Sequence, residues 1–192
     1  MEDWESDLRS RLLPESAETR EDSSSAAVAL ILRKWKGELQ ILLIERIRRE
    51  GDPWSGQIAL PGGMRDPEDT SLSETARREA MEEVSIDLDT ACLSLGRLHQ
   101  IRPANAPQLL VFPFVYSLRK EAVVEEGEEV RDAFWASLSR LRQSKTTKKV
   151  EARGHELVVP AFLHGEGVIW GLTYRIITAL FETGLEPEGE SE

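Results

Sequence analysis

Between positions 61 and 83 the chain collects the residues most able to do chemistry. Pro61-Gly62-Gly63 leads into Met64-Arg65-Asp66-Pro67-Glu68-Asp69, and Arg77-Arg78-Glu79-Ala80-Met81-Glu82-Glu83 follows. Residues three and four apart share one face of a helix, so Glu79, Glu82 and Glu83 project together. Like charges at that spacing cost ~0.2–0.5 kcal/mol per pair on an exposed helix, and a cation among them reverses the sign. Magnesium takes hard oxygen ligands and is usually held by a few carboxylates plus substrate phosphates. The pattern therefore suits divalent-cation chemistry on a phosphorylated molecule. A solvated acidic face partnered by Arg77 and Arg78 is the other reading of the same residues. Two neighbouring features favour the first. The glycines let backbone approach a metal or a phosphate closely. Ala76, Ala80 and Val84 form a small-residue row at i+4 spacing, suited to burying another side of the helix.

The elements that must hold this helix can be read around it. Ala26–Leu32 and Leu39–Ile44 are buried-type apolar runs, with Trp35-Lys36-Gly37-Glu38 as a hairpin turn between them. Gln57–Leu60 reads as a short strand stopped by Pro61. The helix spans about Leu72 to Val84, and Ser71 with Glu74 three residues on forms a capping box at its start. Leu93–Gln100 and Leu109–Leu118 read as strands joined by the loop Pro103–Pro107. Val130–Leu141 reads as a helix or turn region, Leu157–Phe162 as a strand and Ile169–Phe181 as a final helix. Residues 1–24 form an acidic N-terminal arm or linker. Trp4, Leu8 and Leu12 recur every fourth residue there and suit a short amphipathic helix before Pro14, while Glu18–Ser25 reads as a linker or an ordered arm. The domain is expected over 25–182, with 183–192 an acidic C-terminal tail. No internal repeat is present. Strands alternating with few helices imply an α/β fold, with helices packed outside a mixed sheet.

Composition bounds the partners. The chain has 192 residues, 40 % apolar and 31 % charged, enough for one domain with a real core. A net charge of −11 repels phosphate backbones, so no nucleic-acid partner is expected. Small phosphorylated substrates remain open, because clustered carboxylates recruit cations that hold phosphate. Cys92 is the only cysteine, which rules out an intrachain disulfide and suits a reducing, cytoplasmic setting. The longest apolar stretch, near Val168–Phe181, is broken by Gly171, Thr173, Arg175 and Thr178 and is too short and polar to span a bilayer. No membrane partner is expected.

The glutamate segment resembles the signature of the Nudix hydrolases, Gly-x5-Glu-x7-Arg-Glu-U-x-Glu-Glu-x-Gly-U, where U is bulky and apolar. Gly63, Arg78, Glu79, Glu82, Glu83 and Ile86 match, and Ala80 is a small occupant of the first U position. Fourteen residues separate Gly63 from Arg78 where the plain signature has thirteen, Ser85 stands where glycine is usual, and Glu68 and Asp69 are both candidates for the early acid. The extra residue resembles the coenzyme A diphosphatase subgroup. So do the lead-in Gly56-Gln57-Ile58-Ala59-Leu60-Pro61-Gly62-Gly63, the downstream Glu128-Glu129-Val130 and the late Ile169-Trp170-Gly171-Leu172-Thr173. The similarity covers about residues 26–182. Two elements of that subgroup are missing. Leu43-Ile44-Glu45-Arg46 keeps the arginine but not the usual threonine, and Asp52-Pro53-Trp54-Ser55 lacks the usual histidine.

The resemblance implies a Nudix-type α/β/α sandwich and attack by water on a phosphorus of a diphosphate linkage. It implies Mg2+, with Mn2+ as a substitute. It places Gly63 (through its carbonyl), Glu79, Glu82 and Glu83 at the metal, and Arg78 as the group that orients the glutamates. Some family members use a glutamate of the signature as general base and others a downstream carboxylate. Glu129 is the downstream candidate, with Glu128 and Glu126 behind it, and a solvated acidic loop is the other reading of that run. Arg46, Gln57 and Trp54 are the substrate-side candidates. Arg46 would bind a phosphate or make a surface ion pair, and Trp54 would stack on a base or pack within its loop. His99, His155 and His164 show no ligand spacing. Lys145, Lys148 and Lys149 read as a solvated face, with contact to a 3′-phosphate as the alternative. Three functions are in play: a diphosphatase of coenzyme A or its acyl derivatives; a hydrolase of another small nucleoside diphosphate derivative, such as ADP-ribose or a dinucleotide; and a Nudix fold used as a ligand-binding module. A homodimer is compatible with the resemblance.

Overall fold

The computed structural model describes residues 3–16, 25–49, 55–152 and 154–186. The backbone of the molecule is a seven-stranded mixed sheet. Strand β1 (Ser25–Trp35) turns through Lys36 and Gly37 into β2 (Glu38–Arg46) as an antiparallel hairpin. β1 also runs parallel to β6 (Leu110–Leu118), whose other side pairs with β5 (Cys92–Arg97). Two short strands, β3 (Ile58–Ala59) and β4 (Gly62–Met64), pair with β2 and β1 respectively. β1 and β2 are apolar almost throughout because both faces of the sheet are covered, as near-continuous apolar strands require.

Alternation along the strands sorts their side chains into two cores. Ala27, Ala29, Ile31, Phe112, Phe114 and Tyr116 meet helix α2 (Leu72–Val84), which sets Ala76, Ala80 and Val84 fully buried against the sheet. The short helix α3 (Leu88–Ala91) follows on the same side. Val28, Leu30, Leu32, Val111 and Val115 meet Ile176, Ile177 and Leu180 of the last helix, α5 (Gly171–Glu182). Layers of helix, sheet and helix result, as the resemblance implied.

The N-terminal helix α1 (Asp3–Arg11) docks on this second core through Leu8. Its Glu5 is buried and accepts from Ser117 Oγ and Arg119. Beyond it, Leu13 exchanges two backbone hydrogen bonds with Arg97 of the edge strand β5. Residues 17–24, which hold most of the Glu18–Ser25 segment, lie outside the described residues.

Several expectations are corrected. Val130–Ser137 is neither helix nor turn but strand β7, antiparallel to β2, and only Leu138–Gln143 behind it is helical (α4). The reason is a period of two: Ala133 and Trp135 face the α2 side while Phe134 and Ala136 face the other. The expected strand Leu157–Phe162 is longer, as β9 (His155–His164), and sits between β8 (Thr146–Ala152) and β10 (Gly167–Trp170) in a separate three-stranded sheet. The final helix starts at Gly171 rather than Ile169, because Ile169 and Trp170 are still paired with Phe162 and Ala161. Among the described residues no helix is long and apolar enough to cross a membrane.

Candidate active site

Helix α2 is held at its start by local chemistry. Ser71 is the N-cap, its Oγ accepting from the Glu74 N–H at 3.1 Å. The Glu74 carboxylate reaches back one residue further than a capping box requires, accepting from Thr70 N–H at 2.6 Å and Thr70 Oγ at 2.5 Å. At the other end Ser85 occupies the left-handed region, φ 56°, which explains why the signature usually has glycine there.

Asp69 settles which acid precedes the helix. Glu68 is exposed, whereas Asp69 is buried and grips Arg78 bidentately, Nε to Oδ1 at 3.1 Å and Nη2 to Oδ2 at 3.2 Å. It also accepts from Thr75 Oγ and from the Asp66 N–H. Burial raises the Asp69 pKa, but these hydrogen bonds outweigh it and hold the carboxyl below its ordinary value. Thus anchored, Arg78 donates to Glu79 at 2.8 Å, to Glu82 at 3.1 Å and to the Met64 carbonyl at 3.1 Å. Sequence reading named Asp69 without separating it from Glu68. The signal that separates them is burial, which spacing does not encode.

One turn further along, the acids face a cleft of about 340 Å3. Its lining includes the polar groups of Glu79, Glu83, Arg46, Gln57, Gly63 and Glu129 and the apolar side chains of Val28, Leu109, Val111, Leu172 and Ile176. The Glu79 carboxylate lies on Gly63 so closely that a β-carbon there would collide with it. Glu83 is almost fully buried, accepts from the Gly62 N–H at 2.8 Å and stands 3.5 Å from Arg46 Nη1. Burial is the main force on both acids. It pushes Glu79 up and Glu83 up to about 7, with Glu79 and Glu129 adding repulsion at Glu83 against the Gly62 N–H and Arg46.

The loop before β7 brings Glu129 to this cleft. Gly127 donates to the Glu83 carbonyl at 3.0 Å, and a β-carbon at Gly127 would strike the Glu82 carbonyl. The Ile47 N–H then binds the Glu129 carbonyl at 3.0 Å. The Glu129 side chain is paired with Arg49 at 2.6 Å and with Arg46 at 3.5 Å. Neither Gly127 nor Arg49 stood out in the sequence.

Not every candidate converges. Glu82 is 59 % exposed and paired with Arg78, outside the cleft lining. Trp54 lies outside the described residues. Lys148 and Lys149 sit on β8, where Lys149 pairs with Glu156, and none of the three lysines lines the cleft. His164 stacks on Phe134. Among the described residues no three His, Cys, Asp or Glu side chains form a ready-made metal cage. What remains is an open set, the paired carboxylates of Glu79 and Glu83 beside the Gly63 backbone. A buried and a half-buried acid that repel one another are a donor set a divalent cation would relieve, with water and phosphate oxygens completing its shell.

Comparison with known proteins gives the family of the chain. The NUDIX domain model matches residues 23–158. The mitochondrial coenzyme A diphosphatase NUDT8 of Homo sapiens is 31 % identical over 175 residues, covering 88 % of this chain and 74 % of the relative. Its Mus musculus counterpart is 29 % identical, covering 90 % and 83 %. The peroxisomal coenzyme A diphosphatase ndx-8 of Caenorhabditis elegans is 35 % identical over 70 % of this chain and 58 % of its own length. Among solved structures, a MutT/nudix family protein from Enterococcus faecalis superposes with a TM-score of 0.58 at 22 % identity; it covers 87 % of this chain, which spans 64 % of that one. With a domain match over most of its length and the glutamate helix set on the cleft, the chain belongs to the Nudix family of hydrolases.

Proposed function

We propose that the chain hydrolyses the diphosphate bond of coenzyme A or an acyl derivative, giving 3′,5′-ADP and 4′-phosphopantetheine, with Mg2+ or Mn2+. The observation that carries this reading is the mixed lining of the cleft: three acids and an arginine share it with aliphatic side chains from β1, β6 and α5. The first suits a diphosphate and the second an uncharged chain such as pantetheine. The relatives described as coenzyme A diphosphatases support the same substrate.

Glu79 and Glu83 would hold the cation, with the Gly63 carbonyl beside them and Glu82 contributing from the solvent side. When bound, a divalent cation neutralises phosphoryl charge and acidifies the attacking water. Arg78, fixed by Asp69, positions Glu79 and Glu82. Arg46 and Gln57 face the diphosphate. Glu129 accepts the proton of the attacking water, directly or through one further water, as that oxygen joins one phosphorus and the anhydride oxygen leaves with the other. The missing threonine near Arg46 and the missing histidine before Gly56 favour a second reading, the same chemistry on another nucleoside diphosphate derivative.

The test is incubation of the full chain with coenzyme A and Mg2+, with products identified by mass spectrometry. Release of 3′,5′-ADP and 4′-phosphopantetheine supports the first reading. Intact coenzyme A beside cleavage of ADP-ribose or a dinucleotide replaces it with the second.

A further inference from the structure

We infer that Arg49 is a second phosphate-binding residue of the cleft, held in reserve by Glu129 and released to the substrate when an anion enters. The inference rests on the diphosphatase reading above. Arg46 and Glu129 line the cleft, whereas Arg49 reaches it through Glu129, at 2.6 Å. The Glu129 carboxylate is thereby shared, one oxygen to Arg49 and the other to Arg46.

The charges of the lining favour an exchange. The described lining carries three carboxylates, Glu79, Glu83 and Glu129, against the single guanidinium of Arg46. Arg46 is itself divided between Glu83 and Glu129, both at 3.5 Å. Two arginines outside the lining touch it: Arg78, whose guanidinium is spread over Asp69, Glu79, Glu82 and the Met64 carbonyl, and Arg49, which pairs with Glu129. Beside the proposed divalent cation, Arg49 is the guanidinium with fewer bonds to give up to a diphosphate. Arg48, its neighbour, is packed along Gly56 instead.

The energetics make the exchange cheap. Arg49 and Glu129 are 48 % and 49 % exposed, and ion pairs that open to solvent contribute little to stability. A phosphoryl group offers a guanidinium a bidentate, doubly accepting partner in place of one carboxylate oxygen. The backbone around the pair stays fixed. The Arg49 N–H is bound to Ser55 Oγ at 2.6 Å, Ile47 to the Glu129 carbonyl, and Gly127 to the Glu83 carbonyl. Only side chains need move. Arg49 turns to the phosphate, and Glu129 keeps only its longer contact to Arg46, at 3.5 Å. Substrate entry would thus partly free the proposed proton acceptor.

The test uses methylenediphosphonate, a diphosphate mimic that water does not cleave, titrated calorimetrically into the full chain in the presence of Mg2+. Arg49→Gln should weaken binding about tenfold, and Arg49→Lys by less. Glu129→Gln should tighten binding severalfold, because both arginines lose their competitor. In the double variant that tightening should largely disappear. Unchanged affinity in Arg49→Gln overturns the inference, as does an equal tightening by Glu129→Gln with and without Arg49. Binding needs no turnover, so the two proposals fail separately. A chain that holds the diphosphonate through Arg49 but leaves coenzyme A intact loses the substrate reading alone. A chain that cleaves coenzyme A while Arg49→Gln binds like the parent loses only the Arg49 exchange.

Discussion

The two ends of the α2 network bury carboxylates in opposite ways. Asp69, just before the helix, is surrounded by donors from Arg78, Thr75 and the Asp66 backbone, and its pKa is lowered. Glu83, near the helix end, has one backbone donor and a more distant arginine, stands near Glu79 and Glu129, and is pushed up to about 7. Burial acts on both in the same direction, so the difference lies in the partners. A fully satisfied buried charge fixes geometry, whereas an under-compensated one stores a capacity to bind what is missing. One family signature therefore contains both a fully compensated buried acid, Asp69, and an under-compensated one, Glu83.

The sharpest way to break this contrast is to neutralise each acid. Glu83→Gln should lower turnover by at least ~100-fold, since even removing a supporting group behind a metal ligand costs ~10–100-fold. The same change should leave the metal-free chain as stable as the parent or more so, because it removes a poorly compensated buried charge. Thermal melts with and without Mg2+ check this: the cation should raise the parent midpoint and leave that of Glu83→Gln almost unmoved.

Asp69→Asn should do the reverse. Its main effect should be on stability, a loss of roughly 2–3 kcal/mol, because the bidentate pair with Arg78 is broken inside the fold. Urea unfolding reads it directly, and an equal loss from Glu68→Gln would contradict the assignment of the early acid to Asp69.

The pH dependence separates the parent from Asp69→Asn further. A lowered folded pKa means that the contribution of Asp69 is present above its unfolded value of 3.8 and is lost as pH falls through the folded value. The stability gap between parent and Asp69→Asn should therefore be flat near neutrality and close below about pH 3.8. A gap that stays open in acid would mean that the carboxylate charge is not what stabilises.

The smallest effect belongs to the helix end. Ser85 holds a left-handed conformation that glycine adopts without penalty, so Ser85→Gly should stabilise by about 1 kcal/mol while leaving the cleft chemistry unchanged.

What the sequence made legible was local. The α2 boundaries, its Ser71 cap and the buried row of Ala76, Ala80 and Val84 all depend on neighbours a few residues away. The Pro61-Gly62-Gly63 segment, expected to end a strand, instead carries Gly62 and Gly63 into β4 through pairing with β1. What it hid depends on distant partners. β7 reads ambiguously because Val130-Arg131-Asp132 opens with charges, and only pairing with β2 fixes its register. β8 has no apolar alternation to announce it and is formed by pairing with β9. In the site, Glu79 and Glu83 were legible from helical spacing. The role of Arg49 depends on a residue 80 positions away, and that of Gly127 on a carbonyl of another element. Glu82 shares the helix with the other two acids, yet points to solvent with Arg78. A helical face is broad enough to hold both cleft and surface.

The most direct measurement is Mn2+ titration of the full chain, following free Mn2+ by electron paramagnetic resonance, for the parent, Glu83→Gln and Asp69→Asn. The expected result is a loss of affinity of at least tenfold in Glu83→Gln and a smaller loss in Asp69→Asn. Parent-like Mn2+ affinity in Glu83→Gln would contradict a cation site built on the buried acids of α2.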